Sequence, residues 1–241
     1  GTGGAGGTDV AEVHCSGRGA GPHLSTVGAD LTAVGVFGGT FNPIHNGHLR
    51  SGLELIERLK LDQLRLMPSA IPPHRPTPAC SAEHRAAMVE LAVMGEERMV
   101  CDRRELQRPG RSYTIDSLEE LRSEKGPDFS VCLVMGCDAV RDINSWHRWQ
   151  KLLDYCHVII IARPGWQLPL AGEVSAWLSD NLQLDGTVIQ QSPHGGILVE
   201  ELRPQVISST EIRVMLAQGL STKYLLPERV IDYIHNYNLY K

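Results

Sequence analysis

Two histidines three residues apart, His45 and His48, follow a pair of glycines in the stretch VGVFGGTFNPIHNGHL, residues 34–49. Glycines let the main chain approach a ligand closely, and a helix that begins just past His48 would offer free N–H groups and the positive end of its dipole. Two imidazoles at that point could face one triphosphate. The stretch has neither the Gly-Lys-Ser/Thr of a Walker loop nor the G-x-G-x-x-G of a dinucleotide fingerprint. It predicts a phosphate site, although either histidine alone would more often be a turn or capping residue.

Residues that could bind a ligand also follow the other predicted strands. In an open parallel sheet, ligands bind beyond the carboxyl ends of the strands, where the strand order reverses. We therefore expect these segments to meet at one edge of the sheet. They are residues 38–48 after the first strand, 72–75 after the second, 136–138 after the fourth, 163–165 after the fifth, and 208–210 at the start of a late helix.

Hydrophobic patterning predicts the elements that must position these residues. Short apolar runs bounded by Gly or Pro predict five buried strands, at residues 31–37, 62–68, 98–106, 129–136 and 155–163. Runs with helical spacing and capping residues predict helices at residues 47–60, 81–95, 112–126, 207–219 and 226–237. Because strands alternate with helices and are apolar throughout, the sequence predicts an α/β fold: a doubly wound, Rossmann-like parallel sheet with helices on both faces and a C-terminal helical segment.

The chain of 241 residues divides by composition into two parts. Residues 1–30 are Gly-rich and lack apolar periodicity, so they cannot bury enough surface to offset their ordering entropy. We interpret them as an appendage with no assigned role. The length of the chain allows one large domain or two small ones, and we predict that residues 31–241 form a single domain. Apolar residues form 42% and charged residues 21% of the chain, which is typical of globular proteins.

Charge and cysteine usage bear on partners and location. The formal net charge is −5, so no global positive field would attract nucleic acid, and an anionic ligand must be held by a local cluster. The six cysteines form no CxxC pair, and several lie within apolar runs, which favours reduced thiols. The sequence has no apolar run long enough to span a bilayer and no signal-peptide pattern at its start. We expect a cytoplasmic protein without nucleic-acid or membrane partners; its oligomeric state is open.

Two motifs of the sequence carry a family resemblance. The stretch GGTFNPIHNGH resembles the signature of the nucleotidyltransferase superfamily, whose HxGH loop binds the phosphates of ATP. The stretch ISSTEIR, residues 207–213, resembles the second signature of that superfamily. Taken alone, the second stretch is better explained as a plain capped helix, in which Ser208 and Glu211 form a capping box.

Further motifs narrow the resemblance. PPHRP, RSYTIDSL, GCD followed by SWHRW, and ARPG together resemble the bacterial nicotinate-nucleotide adenylyltransferases, over residues 34–240. The resemblance implies transfer of the adenylyl group of ATP to nicotinic acid mononucleotide, giving nicotinic acid adenine dinucleotide and pyrophosphate in NAD biosynthesis. Mg²⁺ would enter with ATP, held mainly by the nucleotide and water, with no protein metal site. The sequence departs from the pattern at Asn42, where Asp is common, and Cys137 fills a variable position.

The resemblance also implies roles for individual residues. The mononucleotide supplies the nucleophile, so the protein must position the reactants and neutralise phosphate charge. The implied catalytic residues are His45, His48 and Arg213. The implied ATP-binding residues are Gly38, Gly39, Thr40, Gly47, Gly136, Asp138, Ser208, Ser209 and Thr210. The implied mononucleotide-binding residues are Phe41, Asn42, Thr114, Trp146, His147 and Arg163.

Several of these roles have structural alternatives. Asp138 would bind the ATP ribose, but it could also cap the following helix. Trp146 would stack on the nicotinate ring, leaving Trp149 in the core, although a core position is the default for any tryptophan. Arg163 would bind the mononucleotide phosphate or form a loop salt bridge. Backbone N–H groups near Thr114 and His147 would bind the nicotinate carboxylate.

Three other interpretations are weaker. A phosphopantetheine adenylyltransferase is usually shorter and lacks the SYT, SWHRW and ARPG segments. A class I aminoacyl-tRNA synthetase would need a longer chain and a KMSKS-like segment. A non-catalytic nucleotide sensor on the same fold need not retain His45, His48 and Arg213. His74 and Arg75, in a Pro-rich loop, could cover the site or belong to a solvated basic loop.

Overall fold

A six-stranded parallel sheet forms the centre of the protein in a computed structural model that describes residues 29–71, 78, 80–169 and 171–241. Its strands are β1 (Thr32–Gly39), β2 (Gln63–Pro68), β3 (Met99–Cys101), β4 (Phe129–Gly136), β5 (His157–Ala162) and β6 (Ile197–Glu201). The spatial order is β3-β2-β1-β4-β5-β6, and every neighbouring pair is parallel. The order reverses between β1 and β4, which makes the ends of these two strands the expected binding crevice.

Helices connect the strands and cover both faces of the sheet. They are α1 (Asn46–Leu59), α2 (Ala82–Val93), α3 (Arg104–Gln107), α4 (Thr114–Lys125), α5 (Cys137–Val140), α6 (Glu173–Asn181), α7 (Val188–Gln191), α8 (Ser209–Ala217) and α9 (Glu228–Asn236). Short 3₁₀ helices span Ile143–Ser145 and Trp149–Asp154. None of the helices in the described residues is long and apolar enough to cross a membrane.

Two buried clusters pack against the sheet. The first contains side chains of α1, α2, α8 and α9, with Leu55, Met88 and Ile212 completely buried. The second contains side chains of α4, α6 and the second 3₁₀ helix, with Leu118 and Leu178 equally buried. Because the strands are covered on both faces, the predicted doubly wound α/β architecture is confirmed, together with its C-terminal helices.

Several boundaries differ from the sequence-based prediction, and one strand was not predicted. The third strand ends at Cys101 instead of residue 106, because Asp102 turns away to bind two arginines and α3 follows. Helix α1 begins at Asn46, one residue before the predicted start, and His48 lies inside its first turn. Helix α9 begins at Glu228, two residues after the predicted start, with Pro227 as its N-cap. Strand β6, which was not predicted, is a five-residue edge strand ending in two glutamates.

Candidate active site

The ends of β1 and β4 form an open floor at the reversal of strand order. A Cβ built on Gly38 or Gly136 would meet no atom of the described residues within 4 Å, so none of these residues fills the space over the two glycines. A Cβ on Gly39 would lie 3.0 Å from the ring of Phe41, which packs directly beneath it. Gly38 and Gly136 therefore leave room at the centre of the crevice, whereas Gly39 and Phe41 are closely packed at its side.

His45 and His48 form the N-terminal cap of α1. His45 is the N-cap residue, and its Nδ1 accepts the backbone N–H of His48 at 3.4 Å. The Nδ1 of His48 in turn accepts the backbone N–H of His45 at 3.2 Å. The two rings stack with their centroids 3.7 Å apart and their planes 22° apart. Since both Nδ1 atoms are acceptors, each neutral ring carries its hydrogen on Nε2 and retains that N–H as a free donor.

Burial keeps these two rings neutral. It lowers the pKa of His45 to about 4, because desolvation penalises the charged imidazolium. The pKa of His48 falls to about 3, first through burial and second through the neighbouring His45. At neutral pH the pair therefore offers hydrogen-bond donors but no positive charge. Other groups must neutralise the charge of an incoming phosphate.

The residues between the histidines hold this cap in place. A Cβ on Gly47 would lie 3.0 Å from His45 Nδ1, so only glycine leaves the ring undisturbed. Asn46 donates its backbone N–H to the carbonyl of Leu225 and its Nδ2 to the carbonyl of Tyr224, both at 2.8 Å. The helix start is thereby tied to a turn that lies far away in sequence.

Helix α8 holds the loop between β1 and α1, residues 40–45. Arg213 donates from Nη1 to the carbonyl of Asn42 at 2.8 Å and from Nη2 to Thr210 Oγ1 at 3.3 Å. Ser209 Oγ donates to the carbonyl of Pro43 at 2.9 Å. Ser208 caps the helix, its Oγ accepting the backbone N–H of Glu211 at 3.1 Å. The second sequence motif is therefore in contact with the first.

Arg85 is a further residue of this region, which sequence reasoning missed. It is only 1% exposed, and it donates to the carbonyls of Thr40 at 2.6 Å and Ser69 at 2.7 Å. A buried arginine that binds only carbonyls fixes the ends of β1 and β2 relative to each other. The only indication of Arg85 in the sequence is its position as a charged residue on the apolar side of α2. Hydrophobic periodicity alone does not assign a role to such a residue.

The two segments that carry the predicted nicotinate residues are in contact through Tyr113 and His147. Thr114 is the first residue of α4, whose N-cap residue Tyr113 makes no side-chain capping bond. The rings of Tyr113 and His147 lie 4.7 Å apart. Trp146 is half-buried next to this pair, whereas Trp149 is 8% exposed and packs in the core. This corner combines backbone donors at a helix start with aromatic surfaces.

Two predicted residues make contacts that limit their roles. Arg163 and Asp138 form an exposed ion pair with 2.6 Å between Nη2 and Oδ2, although the sequence assigned them to different ligands. Phe41 is 3% exposed and packs edge to face against His48, so only its main chain can reach a ligand. The predictions for His74 and Arg75 lie outside the described residues.

A family model described as "Cytidylyltransferase-like" matches residues 36–215. Among curated proteins, the chain is 44% identical over 208 residues to the "Probable nicotinate-nucleotide adenylyltransferase" of Pseudomonas putida (strain W619), covering 86% of this chain and 94% of the relative. It is equally identical to the protein of that name from Aeromonas hydrophila, covering 86% and 97%.

Solved structures show a similar fold. The "Plasmodium falciparum nicotinic acid mononucleotide adenylyltransferase complexed with NaAD" matches with a TM-score of 0.63 at 20% identity, over 87% of this chain and 97% of that one. The same Plasmodium falciparum protein "complexed with APC" matches with a TM-score of 0.61 at 19% identity, over 87% and 97%. At such identities the likeness concerns the fold alone.

Proposed function

Because this chain belongs to the cytidylyltransferase-like family and, within it, to the nicotinate-nucleotide adenylyltransferases, we propose that it transfers the adenylyl group of ATP to nicotinic acid mononucleotide. The mononucleotide phosphate oxygen attacks the α-phosphate of ATP, the bond to the β-phosphate oxygen breaks, and pyrophosphate leaves. The products are nicotinic acid adenine dinucleotide and pyrophosphate, in NAD biosynthesis. The observation that carries the proposal is the pair of mutually capping histidines at the crevice between β1 and β4.

On the ATP side, His45 and His48 donate from Nε2 to the triphosphate, supported by the N-terminal end of α1. Preorganised donors of this kind stabilise the charge that develops on the phosphates without reorganising during the reaction. Arg213 supplies a positive charge. Asn42 and Thr210 use only part of its five N–H donors, so others remain for a phosphate. Together these groups position the leaving pyrophosphate in line with the attacking oxygen.

The remaining ATP contacts come from the floor and from α8. The open space over Gly38 and Gly136 admits the nucleotide, and Asp138 binds the ribose. Ser208, Ser209 and Thr210 lie at the start of α8. The other residues proposed for ATP are Gly39, Thr40 and Gly47, which shape the loop and the helix start.

On the mononucleotide side, Trp146 stacks on the nicotinate ring, and the backbone N–H groups at Thr114 and His147 bind its carboxylate. Arg163 binds the phosphate, which requires the exposed ion pair with Asp138 to open. Such an exposed pair contributes only about 0–1 kcal/mol, so a phosphate can compete for the arginine. Phe41 contributes through its main chain, and Asn42 through its side chain.

We propose that Mg²⁺ enters with ATP, where it would help to neutralise the charge of the phosphates. Within the described residues, no group of three or more His, Cys, Asp or Glu could hold a metal ion. We expect the ligands of the cation to come mainly from the nucleotide and water, as is usual for Mg²⁺ bound with a nucleotide. We also propose a cytoplasmic location, which is supported by the free thiols of Cys80, Cys101, Cys132, Cys137 and Cys156.

The test is pyrophosphate release with ATP and Mg²⁺, comparing nicotinic acid mononucleotide, nicotinamide mononucleotide and phosphopantetheine as acceptors. We expect release with the acid and much slower release with the other two. Equal use of the acid and the amide would retain adenylyl transfer and contradict the carboxylate site. No release with any acceptor, while ATP still binds, would favour a nucleotide sensor instead.

A further inference from the structure

Tyr240 lies against the loop between β1 and α1, although almost 200 residues separate them in sequence. After α9 the chain turns back, with the Leu239 N–H donating to the carbonyl of Ile234 at 3.0 Å. Tyr240 itself has a left-handed φ of 62°, and both Leu239 and Tyr240 pack against the first core cluster. This turn brings the Tyr240 hydroxyl to Asn42.

The hydroxyl of Tyr240 donates to Oδ1 of Asn42 at 2.7 Å. The direction of this bond follows from the chemistry of the two groups, because the amide oxygen can only accept and the phenolic hydroxyl is therefore the donor. The nearby Cys80 thiol is at best a weak acceptor, so Asn42 Oδ1 is the better partner.

Each carbonyl oxygen of Asn42 therefore already accepts one hydrogen bond within the protein. Arg213 binds its main-chain carbonyl at 2.8 Å, and Tyr240 binds its side-chain carbonyl. Nδ2, whose two N–H donors these bonds leave unused, is the group best placed to bind an oxygen of a ligand. An amide that could rotate freely would present oxygen and nitrogen equally, whereas this one presents nitrogen.

We propose that Tyr240 is a positioning residue for the mononucleotide, holding the Asn42 amide so that Nδ2 donates to an oxygen of that substrate. The inference rests on the proposed function, in which Asn42 belongs to the mononucleotide site. It assigns to the segment after α9 a role in substrate binding in addition to packing. Because Tyr240 acts through Asn42, its loss should affect the mononucleotide and leave ATP unaffected.

The test compares Tyr240→Phe, which removes the hydroxyl and keeps the ring, with the parent protein and with Tyr237→Phe. Tyr237 is 57% exposed and lies at the end of α9, so its variant controls for losing a hydroxyl in the same segment. We expect Tyr240→Phe to raise KM for nicotinic acid mononucleotide about fivefold, as the loss of one hydrogen bond implies. KM for ATP, kcat and the Tm should stay close to the parent values, and Tyr237→Phe should match the parent throughout.

A double-mutant cycle shows whether Tyr240 acts through Asn42. In an Asn42→Ala background, Tyr240→Phe should have no further effect on KM, because the group it positions is gone. Unchanged KM in Tyr240→Phe, a fall in Tm without a change in KM, or full additivity with Asn42→Ala would each overturn the inference. An inactive parent protein would instead overturn the proposed function, and with it a mononucleotide role for Tyr240.

Discussion

His45 and His48 each accept the other's backbone N–H through Nδ1, at 3.4 and 3.2 Å, and their rings stack 3.7 Å apart. The arrangement has the reciprocal pattern of a capping box, with imidazoles in place of the usual hydroxyl and carboxyl groups. Capping the helix thus also fixes the tautomer of both rings. The bonds that stabilise the helix start thus leave the Nε2–H groups as the donors that we propose for the triphosphate.

Replacing His48 by alanine should therefore reduce turnover far more than it weakens mononucleotide binding. The variant loses one preorganised donor to the phosphates, which typically costs about 10²–10³ in kcat. Steady-state kinetics with ATP and nicotinic acid mononucleotide measure the effect, and titration calorimetry measures mononucleotide affinity. His235→Ala, an exposed change on α9, is the control. Equal turnover in His48→Ala and the parent would remove His48 from catalysis.

The stability of the protein should fall as the pH is lowered from 7 towards 5. An unfolded histidine has a pKa near 6.5, whereas the folded pKa values are about 4 for His45 and about 3 for His48. Between these values the unfolded state binds more protons, so lowering the pH favours unfolding. We expect the pair to reduce the free energy of unfolding by about 2–4 kcal/mol over this range.

Denaturant unfolding at pH 7, 6 and 5 checks this expectation. The matched variant is His45→Asn combined with His48→Gln, because asparagine at the N-cap and glutamine three residues later can still form a capping box. The double variant should lose clearly less stability than the parent at low pH. Parallel losses in the two proteins would show that the pair does not titrate in this window.

Gly136→Ala should separate ligand binding from stability. A methyl group at this position meets no atom of the described residues within 4 Å, and its φ of −73° suits alanine, so we expect no fall in the Tm. The same methyl group occupies the space proposed for ATP, so KM for ATP should rise. A lower Tm with unchanged KM would contradict this role.

The variant Gly47→Ala tests whether activity depends on the position of the His45 ring in the cap. Its methyl group would lie 3.0 Å from His45 Nδ1 and displace that ring. We expect kcat to fall about tenfold or more, as for a misplaced phosphate donor, while the mononucleotide affinity measured by calorimetry stays close to the parent value. An unchanged kcat would show that the ring tolerates the shift.

Local patterns predicted much of this fold and part of the site. Strand β4 is a continuous apolar run and α2 has a Ser81 cap, so both were found from residues close together in sequence. Strand β6 was missed because it is short, lies at the edge of the sheet and carries Glu200 and Glu201, which do not resemble a buried strand.

Contacts between distant residues were not predictable in the same way. Nothing local to Arg85 indicates that it will bind carbonyls at the ends of β1 and β2, and nothing local to Tyr240 indicates Asn42. The ion pair of Asp138 and Arg163 likewise depends on β4 and β5 being neighbours. Such contacts can be predicted only once the strand order is known. The sequence pattern alone leaves that order open.

The two tryptophans of the SWHRW segment should respond to substitution in opposite ways. Trp149 is 8% exposed and packs edge to face against Trp177, with ring centroids 5.5 Å apart, so Trp149→Ala should cost about 3–5 kcal/mol of stability. Trp146 is only half-buried and lies at the proposed nicotinate site, so Trp146→Ala should cost less stability and raise KM for the mononucleotide. Trp146→Phe, which keeps an aromatic face, should recover most of that affinity.

Denaturant unfolding and steady-state kinetics on the three variants decide between a structural and a ligand-binding role for Trp146. Stacking requires that its substitution changes KM for the mononucleotide while KM for ATP and the midpoint of unfolding change little. A core role requires the reverse, with a large loss of stability and no selective change in KM. If Trp146→Ala proved as destabilising as Trp149→Ala, the Trp146 ring would belong to the core and the nicotinate would need another aromatic partner. Tyr113, whose ring centroid lies 4.7 Å from that of His147, would then be the candidate.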